Sequence, residues 1–87
     1  MKANVMVIND RDNVVVAVTN IARGDTVSLP GGKTFAALAD IPYGHKVACL
    51  DIADGQEIIK YGESIGRAKG SLKRGEWIHI HNMIIEE

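Results

Sequence analysis

A short glycine-centred pattern occurs four times in this sequence and restricts how the chain can fold. Each copy reads polar residue, Ile or Leu, two residues, Gly, two residues, Val or Ile, and the copies occupy residues 20–27, 40–47, 51–58 and 71–78. The pattern predicts an inward apolar side chain, a tight turn with positive φ at the glycine, and a second apolar side chain where a strand begins. The unequal spacing excludes a solenoid of one fixed period and favours a compact domain built from similar turns.

The rest of the sequence consists mainly of short runs of β-branched residues separated by Gly, Asn and Asp. These runs predict strands at residues 5–8, 14–18, 47–50, 57–61 and 77–83. Turns are predicted at Asp12-Asn13, where a hairpin would join the first two runs, and at residues 29–33. Only residues 34–39 favour a helix, because alanines occupy half of them. We therefore expect a single all-β domain over residues 1–87.

The charge balance bears on the kind of partner. The 87 residues carry 10 basic and 11 acidic side chains, which leaves a net charge of −1. A chain without excess positive charge lacks the signature of a nucleic-acid binder, so small molecules or other proteins are the expected partners. No apolar run is long enough to span a membrane or to serve as a signal peptide, so we expect a cytoplasmic protein. The lone Cys49 is expected to be a small buried residue, since no partner stands at metal-ligand spacing.

Two polar clusters stand out between the predicted strands. In the first, His45 and Lys46 follow a repeated glycine and offer a titratable group beside a cation, which suits a carboxylate or an enolate-like intermediate. In the second, residues 60–66, two glycines let the backbone approach a ligand closely, and Lys60 could hold an anion. The second cluster matches neither the Walker nor the dinucleotide-binding pattern. Ordinary solvated turns are the alternative for both.

A third cluster places histidines and isoleucines in alternation. If residues 77–83 form one strand, Trp77, His79 and His81 share a face, and the isoleucines between them fill the other face as core residues. The histidines are then predicted to lie outside the core, near the turn that carries His45. Two imidazoles at this spacing can bind one metal ion if a further ligand comes from His45, an acid or another chain. Two exposed histidines without a ligand are the alternative.

These clusters do not indicate an enzyme that is active by itself. No Ser-His-Asp or Cys-His arrangement is visible, and a domain of 87 residues has little room for a deep pocket. Residues typical of a site, on a chain too small to enclose one, indicate a fragment that completes the cleft of another protein.

Three separated motifs make the sequence resemble the SAF domain of the altronate/galactarate dehydratase family. They read DIPYGHKVA with a following DI at residues 40–52, IKYGExIGRA at residues 59–68, and GExIHxHN at residues 75–82. The similarity extends from Asp12 to Asn82 with the motifs in the same order. The resemblance implies a β-clip fold, which antifreeze-like domains share.

The resemblance also implies a part in dehydrating a sugar acid, altronate to 2-keto-3-deoxygluconate, in an enzyme that uses ferrous iron (Fe2+). In one-chain members this domain precedes a much larger catalytic part, so we expect a small subunit that needs a large catalytic subunit and is inactive alone. Within the family, galactarate dehydratase and the small subunit of a sulfolactate sulfo-lyase are alternatives. A non-catalytic module for sugar-acid binding or assembly is the other alternative, since the fold itself implies no chemistry.

The family pattern matches residues in all three clusters, including Gly44 and Gly66. Removing a proton next to a carboxylate and expelling a β-hydroxyl requires positive charge near the developing enediolate. We expect catalytic roles for His45, Lys46, His79 and His81, the last two also being candidate metal ligands. We expect substrate binding by Lys60, Tyr61, Gly62 and Asn82. Trp77 stands at a position that varies in the family, so the resemblance gives it no role.

Overall fold

The chain forms short antiparallel strands and no helix within residues 2–85, which a computed structural model describes. The prediction of an all-β fold is confirmed. In chain order the strands are β1 (Val5–Met6), β2 (Val14–Ala17), β3 (Thr26–Ser28), β4 (Thr34–Ala36), β5 (Lys46–Ala48), β6 (Glu57–Lys60), β7 (Glu63–Ala68), β8 (Trp77–Ile78) and β9 (Met83–Ile84). They form a four-stranded sheet in the order β1-β2-β5-β8, a β3-β4 hairpin and a three-stranded sheet in the order β6-β7-β9.

The four-stranded sheet lies between two hydrophobic clusters. Successive residues of a strand point to opposite faces. Accordingly Val14 and Ala48 belong to one cluster, whereas Val15 and Val47 belong to the other. The β3-β4 hairpin packs on the second of these clusters, and the three-stranded sheet packs on the first. Burial of both faces explains why every residue of β2 is apolar and buried.

The glycine-centred turns form as predicted. The φ angles are 87°, 81°, 80° and 98° at Gly24, Gly44, Gly55 and Gly75. Both apolar positions of every copy are buried. The copies associate in pairs, because Ile21 forms a β-bridge with Ile41, and Ile52 forms one with Leu72. The repeated pattern therefore encodes two similar pairs of turns, one in each half of the chain.

Most predicted strands are present but shorter than predicted. The first four predicted runs correspond to β1, β2, β5 and β6, and β1 pairs with β2 as in the predicted hairpin. The turn of this hairpin lies at residues 9–12, just before the predicted position at Asp12-Asn13, and is closed by a hydrogen bond from the N–H of Asp12 to the carbonyl oxygen of Asn9 at 3.1 Å. The predicted loop at residues 29–33 joins β3 to β4. Strand β7 was not predicted, because its polar residues and Gly66 lack a strand-like apolar pattern.

The helix preference of residues 34–39 is misleading. Thr34–Ala36 forms β4, in which Phe35 lies opposite Val27 of β3 and packs against the core. So short a segment cannot gain enough helical hydrogen bonds to offset the cost of nucleation. As a strand it gains both backbone pairing and burial, which together outweigh the helix propensity of its alanines.

The prediction of one strand over residues 77–83 is wrong. β8 ends at Ile78, residues 79–82 form a turn, and β9 begins at Met83. Ile78 is fully buried as predicted, but Ile80, also predicted to be a core residue, is 73% exposed at the tip of the turn. The two histidines therefore do not share a strand face, and another feature must bring them together.

Candidate active site

The turn of the second copy, here called the His45 turn (residues 41–46), differs from the other three turns. In those turns, the side chain after the glycine accepts a hydrogen bond from the backbone N–H three residues earlier. The pairs are Asp25 with Ala22 at 3.2 Å, Gln56 with Ala53 at 2.9 Å, and Glu76 with Lys73 at 3.2 Å. The corresponding donor position in the His45 turn is Pro42, which has no N–H. The side chain of His45 is therefore not needed to cap its own turn.

Trp77 on β8 contacts all three histidines of the chain. Its indole Nε1–H donates a hydrogen bond to Nδ1 of His45 at 3.1 Å. The ring of His79 stacks on the indole at 5.3 Å between centroids and 9° between planes, and the ring of His81 lies 5.0 Å away in a tilted arrangement. The centroids of His45 and His79 are 5.0 Å apart, which confirms that His79 lies beside the His45 turn.

The turn that carries His79 and His81 is held by the buried amide of Asn82. Its Oδ1 accepts a hydrogen bond from the backbone N–H of His79 at 2.9 Å, and its Nδ2 donates to the carbonyl oxygen of Trp77 at 2.8 Å. Both functional groups of the amide thus serve the backbone of the turn. Asn82 was predicted to bind substrate, and that contact stays a prediction. The structure adds a positioning role that the sequence did not indicate.

Two lysines belong to the same region. Partial burial lowers the pKa of Lys46, and the positive charge of Lys60 lowers it further. Lys46 is the first residue of β5, and Lys60 is the last residue of β6. The ammonium nitrogen of Lys60 lies 4.8 Å from the ring centroid of Tyr61, a distance that allows a cation–π contact. Two lysines that repel one another favour an anion between or above them.

The turn from β6 to β7 holds Tyr61 in a backbone conformation that side chains seldom adopt. Tyr61 has a φ of 56° and Gly62 a φ of 77°. The buried carboxylate of Asp12 accepts a hydrogen bond from the N–H of Gly62 at 2.7 Å. A Cβ atom at Gly62 would lie 2.7 Å from Nδ2 of Asn9, so that side chain would have to move, whereas the positive φ favours glycine wherever Asn9 lies. This anchoring fixes the turn beside Lys60.

His79 lies in a positive environment. Loss of solvation lowers its pKa, and the neighbouring His45, Lys46 and His81 lower it further. Within residues 2–85, no acidic group contributes to the pKa shift of His79 or of Lys46. At neutral pH the imidazole of His79 is therefore held in its uncharged form, in which it can accept a proton.

The three histidines do not form a complete metal site. Across the described part of the chain, no three side chains of His, Cys, Asp or Glu are arranged so that they could hold a metal ion. One nitrogen of His45 is already used by Trp77, and the rings of His79 and His81 lie against the indole. A metal bound by His79 and His81 would need further ligands from outside these residues, so these side chains alone do not fit the ferrous site that was expected.

The structure therefore assembles most of the predicted site residues. His45, Lys46, His79 and His81 lie together, with Lys60 close enough to shift the pKa of Lys46. Tyr61 lies next to this group of residues, because the ammonium nitrogen of Lys60 is close to its ring. Sequence reasoning missed Trp77, which connects the histidines. The available signal was Pro42, which breaks the side-chain-to-backbone bond of the repeated turn and so marks its histidine as different.

The fold and the site define a small β-domain with a cluster of imidazole and ammonium groups on one side. The protein-family model described as the altronate/galactarate dehydratase SAF domain matches residues 3–86 of this chain. The chain belongs to this family, and its short antiparallel strands are those of the β-clip fold. Within residues 2–85, no helix is long and apolar enough to cross a membrane.

Curated relatives support this assignment. The chain is 41% identical to altronate dehydratase of Escherichia coli (strain K12) over 75 residues, 86% of this chain and 15% of that protein. It is 39% identical to galactarate dehydratase (L-threo-forming) of the same organism over 80 residues, 92% of this chain and 15% of that protein. It is 34% identical to (2R)-sulfolactate sulfo-lyase subunit alpha of Chromohalobacter salexigens over 84 residues, 88% of this chain and 89% of that subunit. The chain is thus similar to a small part of two dehydratases and to nearly all of a lyase subunit.

Proposed function

We propose that this chain is the small subunit of a sugar-acid hydro-lyase, most simply an altronate dehydratase that forms 2-keto-3-deoxygluconate and water. It completes the active site of a separate large catalytic subunit in the cytoplasm and has no activity alone. Membership in the dehydratase family supports the reaction class. Similarity to a protein named as a lyase subunit supports the arrangement as a subunit.

The observation that carries this proposal is the convergence of His45, Lys46 and His79 from the second and fourth copies of the pattern with Lys60 from β6. The chain as a whole has a net charge of −1, yet among residues 2–85 the groups that perturb Lys46 and His79 are all basic. An unpaired positive cluster in a nearly neutral protein is suited to an anion of matching size. The carboxylate of a sugar acid is such an anion.

The chemistry assigns a role to each group. Dehydration removes the proton next to the carboxylate and expels the hydroxyl on the following carbon. Lys46 and Lys60 bind the carboxylate and stabilise the negative charge that grows on it as the proton leaves. His79, held neutral, accepts the proton. Tyr61 and Gly62 position Lys60 beside the substrate, and Asn82 holds the turn that carries His79 and His81.

Ferrous iron remains part of the proposal, with its remaining ligands supplied by the large subunit. When bound, iron supplies a Lewis acid at the departing hydroxyl. Because His79 accepts the proton, His81 is the residue of this chain that would contribute to its coordination, although the described residues do not form a site without help.

Elimination of sulfite from sulfolactate is a second candidate. The observation in its favour is the 34% identity to (2R)-sulfolactate sulfo-lyase subunit alpha over 84 residues. Both reactions begin from a 2-hydroxy acid and need the same positive cluster. They differ in the leaving group, which the large subunit would recognise.

The test isolates the assembled enzyme. The chain carries an affinity tag in its native host, is purified anaerobically with Fe2+ together with the partner it retains, and is assayed with altronate, galactarate and (2R)-sulfolactate. We expect a large partner and turnover of one of the acids, and no turnover by the 87-residue chain alone. Turnover by the isolated chain would contradict the subunit proposal. A purified complex that converts none of the acids would support the non-catalytic module instead.

A pair of lysine variants then tests the site. Lys46→Ala should lower kcat/KM about 100-fold, because it removes one positive group that stabilises the developing charge. Lys33→Ala is the matched control, since Lys33 is an exposed lysine in the loop between β3 and β4. Equal activity in the two variants would remove Lys46 from the site.

A further inference from the structure

Trp77 has contacts that packing alone does not require. It is the only tryptophan in the chain, and it contacts each of the three histidines. Its ring is half-buried against the hydrophobic cluster that contains Val15 and Val47, which a smaller aromatic residue could also cover. A smaller aromatic residue could not replace the indole nitrogen of Trp77, because its Nε1–H donates a hydrogen bond to Nδ1 of His45 at 3.1 Å. Among the natural aromatic side chains, only Trp carries a polar group that donates a hydrogen bond and cannot accept one.

This hydrogen bond fixes the proton of the imidazole. A ring nitrogen that accepts a hydrogen bond carries no proton, so the proton of neutral His45 must be on Nε2. The indole cannot reverse its direction, because it has no lone pair to offer in the plane of the ring. The bond therefore selects one of the two tautomers and also limits rotation of the imidazole.

The His45 turn is the place in the repeat where such a bond can form. In the other turns the side chain at this position caps the backbone of its own turn. Pro42 removes that backbone donor, so the imidazole can turn toward β8 instead. Pro42 and Trp77 thus act on the same side chain, one by removing a local partner and the other by supplying a distant one.

We propose that Trp77 is a positioning residue that holds His45 as the Nε2–H tautomer, so that His45 presents a hydrogen-bond donor to an oxygen atom of the substrate. His45 then polarises that oxygen and does not act as the base that removes the proton. The existence of the tautomer rests on this structure alone. Its catalytic consequence rests on the function proposed above.

The first experiment measures the hydrogen bond without any assay of activity. Exchange of the Trp77 indole N–H with solvent is followed by NMR in the full 87-residue chain. We expect His45→Ala to accelerate this exchange at least about tenfold, the effect of losing one hydrogen bond. His81→Ala is the matched control, because His81 contacts the indole through its ring only, and it should leave the rate near that of the wild type. Equal rates in the wild type and His45→Ala would overturn the proposal.

The second experiment reads the tautomer directly. Long-range 1H–15N spectra of the chain labelled at histidine distinguish a protonated ring nitrogen from an unprotonated one. At a pH where histidines are neutral, we expect His45 of the wild type to be protonated at Nε2 only. Trp77→Phe, which keeps an aromatic ring but removes the donor, should populate both tautomers. A wild-type ring protonated at Nδ1, or a Trp77→Phe spectrum identical to the wild type, would contradict the proposal.

The third measurement tests the consequence for catalysis. In the assembled enzyme, Trp77→Phe should lower kcat about tenfold with little change in KM, because a misdirected donor weakens transition-state contacts more than binding. If the complex proves inactive on every sugar acid, the proposed function fails. The exchange and tautomer measurements still decide whether Trp77 forms the hydrogen bond with His45 and fixes its tautomer. An unchanged kcat in Trp77→Phe would show that the tautomer has no part in the reaction.

Discussion

The His45 turn and the turn of the third copy have nearly the same backbone. Gly44 and Gly55 have φ angles of 81° and 80°. Their N–H groups donate to the carbonyl oxygens of two buried alanines, at 2.8 and 2.9 Å. Both glycines have nothing within 4 Å of a would-be Cβ atom. The difference between the two turns is therefore in the side chains and not in the backbone.

Two sequence differences, at the backbone donor and at the side chain after the glycine, change the hydrogen bonds of the turn. In the third copy, Gln56 accepts a hydrogen bond from the backbone N–H of Ala53 at 2.9 Å and closes the turn on itself. In the His45 turn, Pro42 supplies no N–H, and His45 accepts a hydrogen bond from Trp77 instead. The comparison teaches that a repeated turn can gain a contact with a distant strand by losing a local hydrogen bond, because the freed side chain can bond elsewhere.

Converting the His45 turn into a structural turn should have the largest effect. The double variant Pro42→Ala with His45→Asp restores both the backbone donor and a side-chain acceptor. We expect its free energy of unfolding to stay within about 1 kcal/mol of the wild type. We expect kcat/KM of the assembled enzyme to fall about 1000-fold, since the imidazole is gone.

The control for this conversion is Pro42→Ala alone, which keeps His45 and its bond to Trp77. It should retain activity within a few-fold of the wild type when assayed with the same partner. Full activity in the double variant would show that the His45 turn is structural like the others.

A methyl group at Gly75 should produce the next largest effect. Gly75 has a φ of 98°, and a Cβ atom there would collide with the carbonyl oxygen of Ala36. Gly55 shares the positive φ but faces open space. Urea unfolding should show a loss of about 3 kcal/mol for Gly75→Ala and about 1 kcal/mol for Gly55→Ala, because only the first adds a clash to the backbone strain. Equal losses would mean that conformation alone matters at these turns.

The hydrogen bond between the side chain of Gln56 and the backbone of the third copy should contribute less to the free energy of unfolding. Gln56→Ala removes the acceptor for the N–H of Ala53 and should destabilise the chain by about 1 kcal/mol in urea unfolding. Gln56→Glu keeps an acceptor oxygen at the same reach and should retain wild-type stability. If Gln56→Ala were as stable as the wild type, the capping bond would not distinguish the structural turns from the His45 turn.

The smallest expected effect is a change in the pH dependence of stability. The pKa of His79 is lowered in the folded chain, so the unfolded chain binds this proton first as the pH falls. The free energy of unfolding should decrease from a pH of about 6.5 down to the lowered pKa of His79, and this group should contribute no further slope below it. Urea unfolding across this range should show a weaker dependence for His79→Gln than for the wild type. Identical slopes would mean that His79 is not in a positive environment.

The sequence predicted the repeated turns because each depends on neighbouring residues. Gly at the turn and apolar residues on either side specify positive φ and burial within eight residues, and all four copies fold accordingly. The helix preference of residues 34–39 was misleading for the opposite reason. Pairing with β3 decided that segment, and pairing between separated segments is not visible in local propensity.

The candidate site was predicted in part and for a partly wrong reason. His79 and His81 were expected to share a strand face, but Asn82 ends the strand with two hydrogen bonds to its backbone. The histidines nevertheless meet at Trp77, to which the resemblance assigned no role. Residues far apart in the sequence supply the contacts, so spacing could identify the candidates but not what holds them.

The sequence by itself determined the all-β class, the positions of the glycine turns, and the residues that match the dehydratase SAF family. These features follow from local backbone preference, short-range apolar pattern and motif order. Only the tertiary structure decided that Lys46 and Lys60 repel one another and that Trp77 joins the histidines. Those contacts depend on how the four-stranded sheet is sandwiched between the two cores, because burial on both faces sets the strand register that places Lys46 opposite Ile78 and Trp77 opposite Val47.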